Sequence, residues 1–300
     1  MELIKNLEYI PNLSLALGFF DGVHLAHQKV ISDAVNYAKI HNTNSAVITF
    51  AQHPKCFINN IKPQYILNKN DRYEFIKNIG IDYIIELDFN NICNLTPEQY
   101  LENVLCKYFT PKYISTGFNH RFGAKKVGDA ELLRKYSKLK NFHYNEVDKK
   151  IQNGHTISST AIRNYIREGN IENANNMLGK DFFVSGTIVK GKQLGAKIGF
   201  PTANIIYPDD IVKIPNGVYK VEVEIDNNSK KQGLANFGTC PTVSNTQIPV
   251  LETHILNFNS DIYNKNLKVY FKNKIRDEKK FSNIEELKNQ INNDIKNNFI

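Results

Sequence analysis

Apolar residues follow two different rhythms along this chain. In the first half, near-continuous apolar runs alternate with stretches whose apolar positions recur every three or four residues. "LSLALGFF" reads as a buried strand, residues 25 to 41 as a helix, "SAVITF" as a second strand, and "DRYEFIKNIG" as a helix stopped by Gly80. "DYIIELDF" follows as a strand. Then come a helix opened by Thr96 and Pro97 in "LTPEQYLENVLCKYF", the short strand "KYISTGF", a helix from about Asp129 and a strand near "NFHYNEV". Strands of this kind joined by helices predict a parallel sheet covered on both faces. Such sheets bind ligands beyond the carboxyl ends of their strands, where "GFFDGVH" and "TGFNHRFG" fall.

After Gly179 the rhythm shortens. "FFVSGTIV", "GVYKVEVEI", "GLANFG", "VLETHIL" and "NLKVYF" are brief apolar alternations divided by Gly, Pro, Asn and Asp, the pattern of an antiparallel barrel or sandwich. One terminal helix, from Ser282 with Glu285 and Glu286 in its first turn, ends the pattern. The expected fold class is therefore α/β with a second, antiparallel β domain. The expected domains are residues 1–181 and 182–300, and 300 residues suffice for each to bury its own core.

Composition narrows the class. With 41% hydrophobic and 23% charged residues the chain reads as soluble and globular, and no apolar stretch nears the roughly 20 residues of a membrane span. Glu2, Lys5 and Glu8 interrupt the N-terminus in a way unlike a secretory signal. Cys56, Cys93, Cys106 and Cys240 are scattered, forming neither a CxxC pair nor a disulfide framework, so a reducing cytoplasm is the expected compartment. The net charge of +8 is spread along the chain apart from patches such as "KNKIRDEKK", and no nucleic-acid recognition pattern appears. The expected partners are anionic small molecules, with no nucleic acid and no membrane, and the expected state is a monomer or weak homo-oligomer.

Candidate chemistry lies at strand ends. "GFFDGVHLAH" makes a tight turn through Gly22 and sets His24 and His27 on one face of a helix start, where free amides and the helix dipole attract anions. Spacing alone leaves three readings open: a phosphate site, a metal site completed by residues such as His53 or His120, or ordinary surface histidines. "TISSTAIRNYIREG" places Ser158, Ser159, Thr160 and Arg163 at another helix start, either a second anion site or a serine-capped helix with a solvated arginine.

In the second half, "VKGKQLGAKIGFPTANI" carries Gly191, Gly195 and Gly199 at spacing four, among Lys190, Lys192 and Lys197. As a loop it can cradle a polyphosphate; as a plain glycine-rich hairpin it would do nothing chemical. Thr202 and Asn204 share one side of an extended chain and offer hard oxygen ligands suited to magnesium. In "VLETHIL" the strand period puts Leu251, Thr253 and Ile255 on one face and Val250, Glu252, His254 and Leu256 on the other. A carboxylate flanked by aliphatic groups suits a general base.

These stretches together resemble a known family. "GFFDGVHLAH" is similar to the histidine signature of the nucleotidylyltransferases. With "ISSTAIR", "TFAQHP" and "TGFNHRFG" it resembles, over residues 13 to 180, the adenylyltransferase module of bacterial bifunctional riboflavin kinase/FAD synthetases. "GFPTAN", "GVYKVEV", "LANFGTCPT", "LETHIL" and "IRDEKKF" resemble the riboflavin kinase module of the same family. The resemblance implies a Rossmann-like nucleotidylyltransferase domain followed by a six-stranded antiparallel barrel with a terminal helix. It implies that riboflavin and ATP give FMN, and that FMN and ATP then give FAD and pyrophosphate, with Mg2+ sharing the charge neutralisation.

By the same resemblance His24 and His27 hold the ATP phosphates, in a motif that includes Gly18, Phe19 and Asp21, and Ser159, Thr160 and Arg163 close on them. His53 and Asn119 lie near the nucleotide or the FMN phosphate, Thr202 and Asn204 bind Mg-ATP, and Glu252 takes the proton of the ribityl 5′-hydroxyl. Arg276 contacts flavin or closes a loop over it. Two positions depart from the pattern. Ala26 replaces the glycine of HxGH, and Ala196 stands where an arginine is common, leaving Lys192 or Lys197 to supply that charge. The competing expectations are a flavin-binding regulator that keeps the fold without the chemistry, and a nucleotidylyltransferase for tRNA or another cofactor, which would leave the second half unexplained.

Overall fold

The structure, a computed structural model, describes residues 1–59, 61–191, 194–226, 228–241 and 247–299. The chain divides into two compact units, Met1–Ser159 and Thr160–Ile300.

The first unit is built on a six-stranded parallel sheet of β1 (Glu2–Ile4), β2 (Leu13–Leu17), β3 (Asn44–Phe50), β4 (Tyr83–Leu87), β5 (Tyr113–Gly117) and β6 (His143–Val147). Their order is β1-β4-β3-β2-β5-β6. Every residue of β2 is buried, as a strand covered on both faces requires. Helix α1 (Leu25–His41) turns Val30, Ile31, Ala34, Val35 and Ala38 inward at spacings of three and four, and ends on Asn42 in the left-handed conformation. Each such Val or Ile contributes about 1.5–3 kcal/mol of burial. From β2 the chain winds out through β3 to β4 and later returns to β5 on the other side of β2. The strand order thus reverses direction between β2 and β5, and the carboxyl ends of the strands at such a switch are where sheets of this kind take ligands.

The remaining helices are α2 (Pro54–Asn59), α3 (Lys69–Asn78), α4 (Phe89–Ile92), α5 (Pro97–Tyr100) and α6 (Ala130–Lys140). A capping box between Thr96 and Gln99 opens α5, which runs on as a π-helix over Leu101–Phe109. A two-stranded hairpin, β7 (Ile151–Gln152) with β8 (His155–Thr156), turns through Asn153 and Gly154, both at positive φ.

The second unit carries β9 (Phe183–Thr187), β10 (Thr202–Ile206), β11 (Gly217–Ile225), β12 (Lys231–Pro241), β13 (Gln247–Ile255) and β14 (Asn266–Arg276). They form an antiparallel sheet in the order β10-β13-β12-β11-β14-β9. Its ends curl together until a Cβ on Gly186 of β9 would lie 3.3 Å from Ile205 of β10, giving a nearly closed barrel. Alternate residues fill the interior: Ala203 and Ile205, Tyr219 and Val221, Ala235 and Phe237, Leu251 and Thr253, Val269 and Phe271. Helix α10 (Ile284–Phe299) is the terminal helix, and α9 (Leu194–Lys197) is a single turn in the stretch expected to be a loop.

The compact division falls at Ser159, where the change in sequence texture put the boundary at 181. The reason is packing. Helices α7 (Ser159–Glu168) and α8 (Ile171–Leu178) precede the barrel in sequence, but α8 docks on β14. Asn175 Nδ2 donates to Phe271 O at 2.8 Å, and Phe182 N donates to Asn175 Oδ1 at 2.7 Å.

Candidate functional site

Most residues of the first expected set lie in the first unit, with Thr160 and Arg163 just past its end, and the second set lies in the second unit. In the first, the loop after β2 coils tightly: Phe20 has φ 59°, Gly22 φ 77° and Val23 φ 42°. Gly22 has to be glycine on two counts, its φ and the 3.0 Å that would separate a Cβ from Ile66 Cδ1. Beside it the buried Asp21 carboxylate accepts from Ile66 N at 3.0 Å and Leu67 N at 3.5 Å. Asp21, expected at the phosphates, thus braces the loop from below, and the amides it holds explain why a carboxylate is tolerated there.

The coil delivers His24, only 4% exposed, to the N-cap of α1. Its Nδ1 accepts from His27 N at 3.3 Å, an acceptor role that assigns the ring proton to Nε2. The two imidazoles stack with centroids 3.5 Å apart at 17°. Two parallel rings at one helix start, one presenting an Nε2–H, form a donor pair suited to an anion. Against the metal reading, no group of three or more His, Cys, Asp or Glu side chains converges among the described residues. His120, one of the possible zinc partners, stacks on Phe122, and burial pushes its imidazole down to about 4. Ala26 has an ordinary backbone φ, so α1 does not require the glycine of HxGH for its conformation.

Other expected residues stand at neighbouring strand ends. Gly18 N donates to Ile48 O at 3.2 Å, and the Phe19 ring lies 4.7 Å from the His53 ring. His53 opens α2, its Nδ1 accepting from Lys55 N at 3.0 Å. Asn119 stands exposed in the loop after β5. Ser159 Oγ donates to Asp21 O at 3.1 Å, so the "ISS" stretch meets the first loop across 138 residues of sequence. Thr160, exposed, and Arg163, half-buried, follow on α7 in the second unit.

Sequence reasoning missed Arg72. Its side chain is buried on α3, with the guanidinium 4.0 Å over the Phe19 ring and Nη2 donating to Phe50 O at 2.9 Å, where it pins the carboxyl end of β3. A charged residue four positions before the buried Ile76, on the inner face of its helix, was the available signal.

In the second unit the strand registers align the expected residues. Asn204 of β10 is directly opposite Glu252 of β13, and Glu252 is directly opposite Asn236 of β12. The row continues through Val218 of β11 to Arg276 of β14. Glu252 was expected among aliphatic groups. Along its own strand Val250 is one neighbour, but across the ladder it faces two carboxamides. Asn204 is 6% exposed, and its Nδ2 donates to Thr202 O at 3.2 Å and stands 3.4 Å from Thr202 Oγ1.

Gly191 packs over this amide, and a Cβ there would lie 2.6 Å from Asn204 Nδ2. Gly191→Ala is accordingly expected to displace Asn204 and depress the chemistry of the second unit while leaving that of the first intact, as product chromatography from each substrate would register. A Cβ on Gly195 would strike Phe200 O, Gly199 adopts φ 89°, and Lys197 is exposed on α9. Lys192 lies outside the described residues.

Arg276, expected at the flavin, is paired in the fold with Asp294. Its Nε and Nη2 both reach Asp294 Oδ2 at 2.9 Å, and Asp294, on α10, is buried. This charge-assisted pairing fastens the terminal helix to β14.

Comparison with known proteins follows the same division. Residues 8–161 match the family described as FAD synthetase, and residues 178–298 the family described as riboflavin kinase. Three curated proteins called bifunctional riboflavin kinase/FMN adenylyltransferase align over nearly the whole chain. The one from Buchnera aphidicola subsp. Schizaphis graminum is 36% identical, over 97% of this chain and 95% of its own. That of Escherichia coli K12 is 32% identical over 97% and 94%, and that of Listeria monocytogenes 35% over 94% and 90%. A crystal structure from Streptococcus pneumoniae, described as a macrolide-efflux protein, superposes with a TM-score of 0.89 at 31% identity over 99% of both chains. That description belongs to the other protein; what carries over is the path of the backbone. With one family description on the parallel sheet, the other on the barrel, and relatives that carry both in this order, the chain belongs to the bifunctional riboflavin kinase/FMN adenylyltransferase family.

Proposed function

We propose that this chain makes FAD from riboflavin in two steps at two separate sites. Riboflavin's 5′-hydroxyl attacks the γ-phosphorus of ATP, giving FMN and ADP. A phosphate oxygen of FMN then attacks the α-phosphorus of a second ATP, giving FAD and pyrophosphate. The observation that carries the reading is the presence in one chain of both family matches, each over a unit with its own set of polar groups. Nothing favours a regulator without chemistry.

In the proposed assignment the kinase lies within residues 182–300 and the adenylyltransferase within 1–181. His24 and His27 hold the ATP phosphates from the helix start, with Ser159, Thr160 and Arg163 assigned to the same phosphates, and Gly18 and Phe19 framing the strand end. His53 and Asn119 come from the flanking strand ends. Neither step needs a covalent nucleophile, so position and positive charge supply the catalysis.

In the kinase Glu252 accepts the hydroxyl proton, and Arg276 supports the site through Asp294 instead of touching flavin. Thr202 and Asn204 fit magnesium: Thr202 Oγ1 and Asn204 Oδ1 are hard oxygens on neighbouring side chains, next to a space that a Cβ on Gly191 would fill. Bound there with ATP, Mg2+ would neutralise phosphate charge. Free Cys56, Cys93 and Cys106 support a cytoplasmic setting, and the chain is read as a monomer or weak homo-oligomer acting on small molecules. The test is a chromatographic time course of riboflavin, ATP and Mg2+ with the purified chain. FMN and then FAD should accumulate, and EDTA should stop both. Failure to make FMN would refute the kinase assignment, and turnover unaffected by chelation would refute the magnesium role.

A further inference from the structure

Resting on the kinase reading, we propose that Asn236 positions riboflavin for phosphorylation by hydrogen-bonding its ribityl chain. The argument comes from the order of residues across the barrel. Thr202 and Asn204, the magnesium and triphosphate end, lie on β10 at one side of Glu252. In-line transfer puts the attacking oxygen opposite the leaving group, so the alcohol comes to Glu252 from the side away from β10. That side is β12, and the residue directly opposite Glu252 there is Asn236.

Directly opposed residues share a face, with Cβ atoms about 4.5–5.5 Å apart. The alternate β12 residues, Ala235 and Phe237, point into the barrel and are buried, while Asn236 remains half-exposed on the outer face with Glu252. Beyond Asn236 the row offers only Val218, which is apolar and buried, and Arg276, which is engaged with Asp294. Asn236 is thus the one group between the base and the far end of the row with both a donor and an acceptor to give, the combination that a chain of hydroxyls uses best.

Length agrees. The four carbon–carbon bonds of a ribityl chain, about 1.5 Å each along a zigzag, span close to one strand spacing of about 4.8 Å. A 5′-hydroxyl at Glu252 therefore lays the chain between β13 and β12, with its inner hydroxyls within reach of the Asn236 side chain. Two residues further along the same face, Gly238 has no side chain, and the Glu278 carboxylate occupies the space its Cβ would take, held by Asn216 Nδ2 at 3.0 Å. The open ground beside Glu252 on β12 is consequently at Asn236.

Steady-state kinetics of the full-length chain test this. Asn236→Ala, and the nearly isosteric Asn236→Asp should the smaller residue unsettle the barrel, are expected to raise the KM for riboflavin about three- to tenfold, the range for a lost neutral hydrogen bond. The KM for ATP and the conversion of FMN to FAD should not change. Lumiflavin, which has the ring but no ribityl chain, should inhibit wild type and variants with the same inhibition constant. An unchanged riboflavin KM, or a lumiflavin constant that rises in step with it, would overturn the proposal. Wild-type protein that makes no FMN would instead refute the kinase reading on which it rests.

Discussion

Replacing Glu252 by Gln should suppress FMN formation from riboflavin by about 10²-fold or more, the usual scale for loss of a general base, while FMN supplied directly is still converted to FAD. The substitution keeps length and shape, so Leu251 and Thr253 stay packed in the interior and the strand keeps its register against Asn204 and Asn236. What disappears is the ability to take a proton. The effect should appear in kcat, since the proton moves only as the oxygen attacks, with the KM for ATP little altered. Full riboflavin phosphorylation by a folded Glu252→Gln protein would show that the base lies elsewhere.

The double change His24→Ala with His27→Ala should abolish FAD formation from FMN, by at least about 10²-fold, the scale for removing preorganised donors from a reacting phosphoryl group. Riboflavin phosphorylation should continue. His24 also caps α1, and losing a cap costs about 1 kcal/mol, so part of any loss could come from a loosened helix start. His24→Asn separates the two roles: asparagine still accepts from the His27 amide but presents no ring Nε2–H. Activity lost with the thermal stability preserved would assign the defect to phosphate binding. Stoichiometric zinc in wild type that vanishes in the double variant would restore the metal reading.

The fold was legible where burial was strong. Strand β2 and helix α1 could be read because every position of the first is buried and the second has a regular apolar stripe between two caps. Strand β1 was missed, being three residues long with only Ile4 inside. The β7–β8 hairpin was missed too, although Asn153-Gly154 is a strong turn signal, because its strands have only two residues each. Helix α8 belongs with the barrel through contacts of Asn175 with residues 182 and 271, and nothing local to the helix announces partners at that distance.

The candidate sites were legible as motifs and obscure as neighbourhoods. His24 and His27 sit three apart, so one helix turn brings them together. Asn204, Glu252 and Asn236 become neighbours only through the registers of three strands, which no single strand encodes. Asp21 and Arg276 are visible in their motifs only as charges. Their partners, the amides at 66 and 67 and the carboxylate of Asp294, come from the tertiary fold. Arg72 shows the converse, a charge drawn inside by an aromatic face and a strand-end carbonyl.

The central claim is that one chain holds two complete sites joined only by the FMN that passes from one to the other. Mixing the Glu252→Gln protein with the His24→Ala/His27→Ala protein and supplying riboflavin, ATP and Mg2+ tests it most directly. Neither variant alone should yield FAD from riboflavin at more than a small fraction of the wild-type rate. Together they should, with FMN appearing first, since each retains the site the other lacks. A mixture that accumulates FMN without FAD, or makes no FMN at all, would contradict the account.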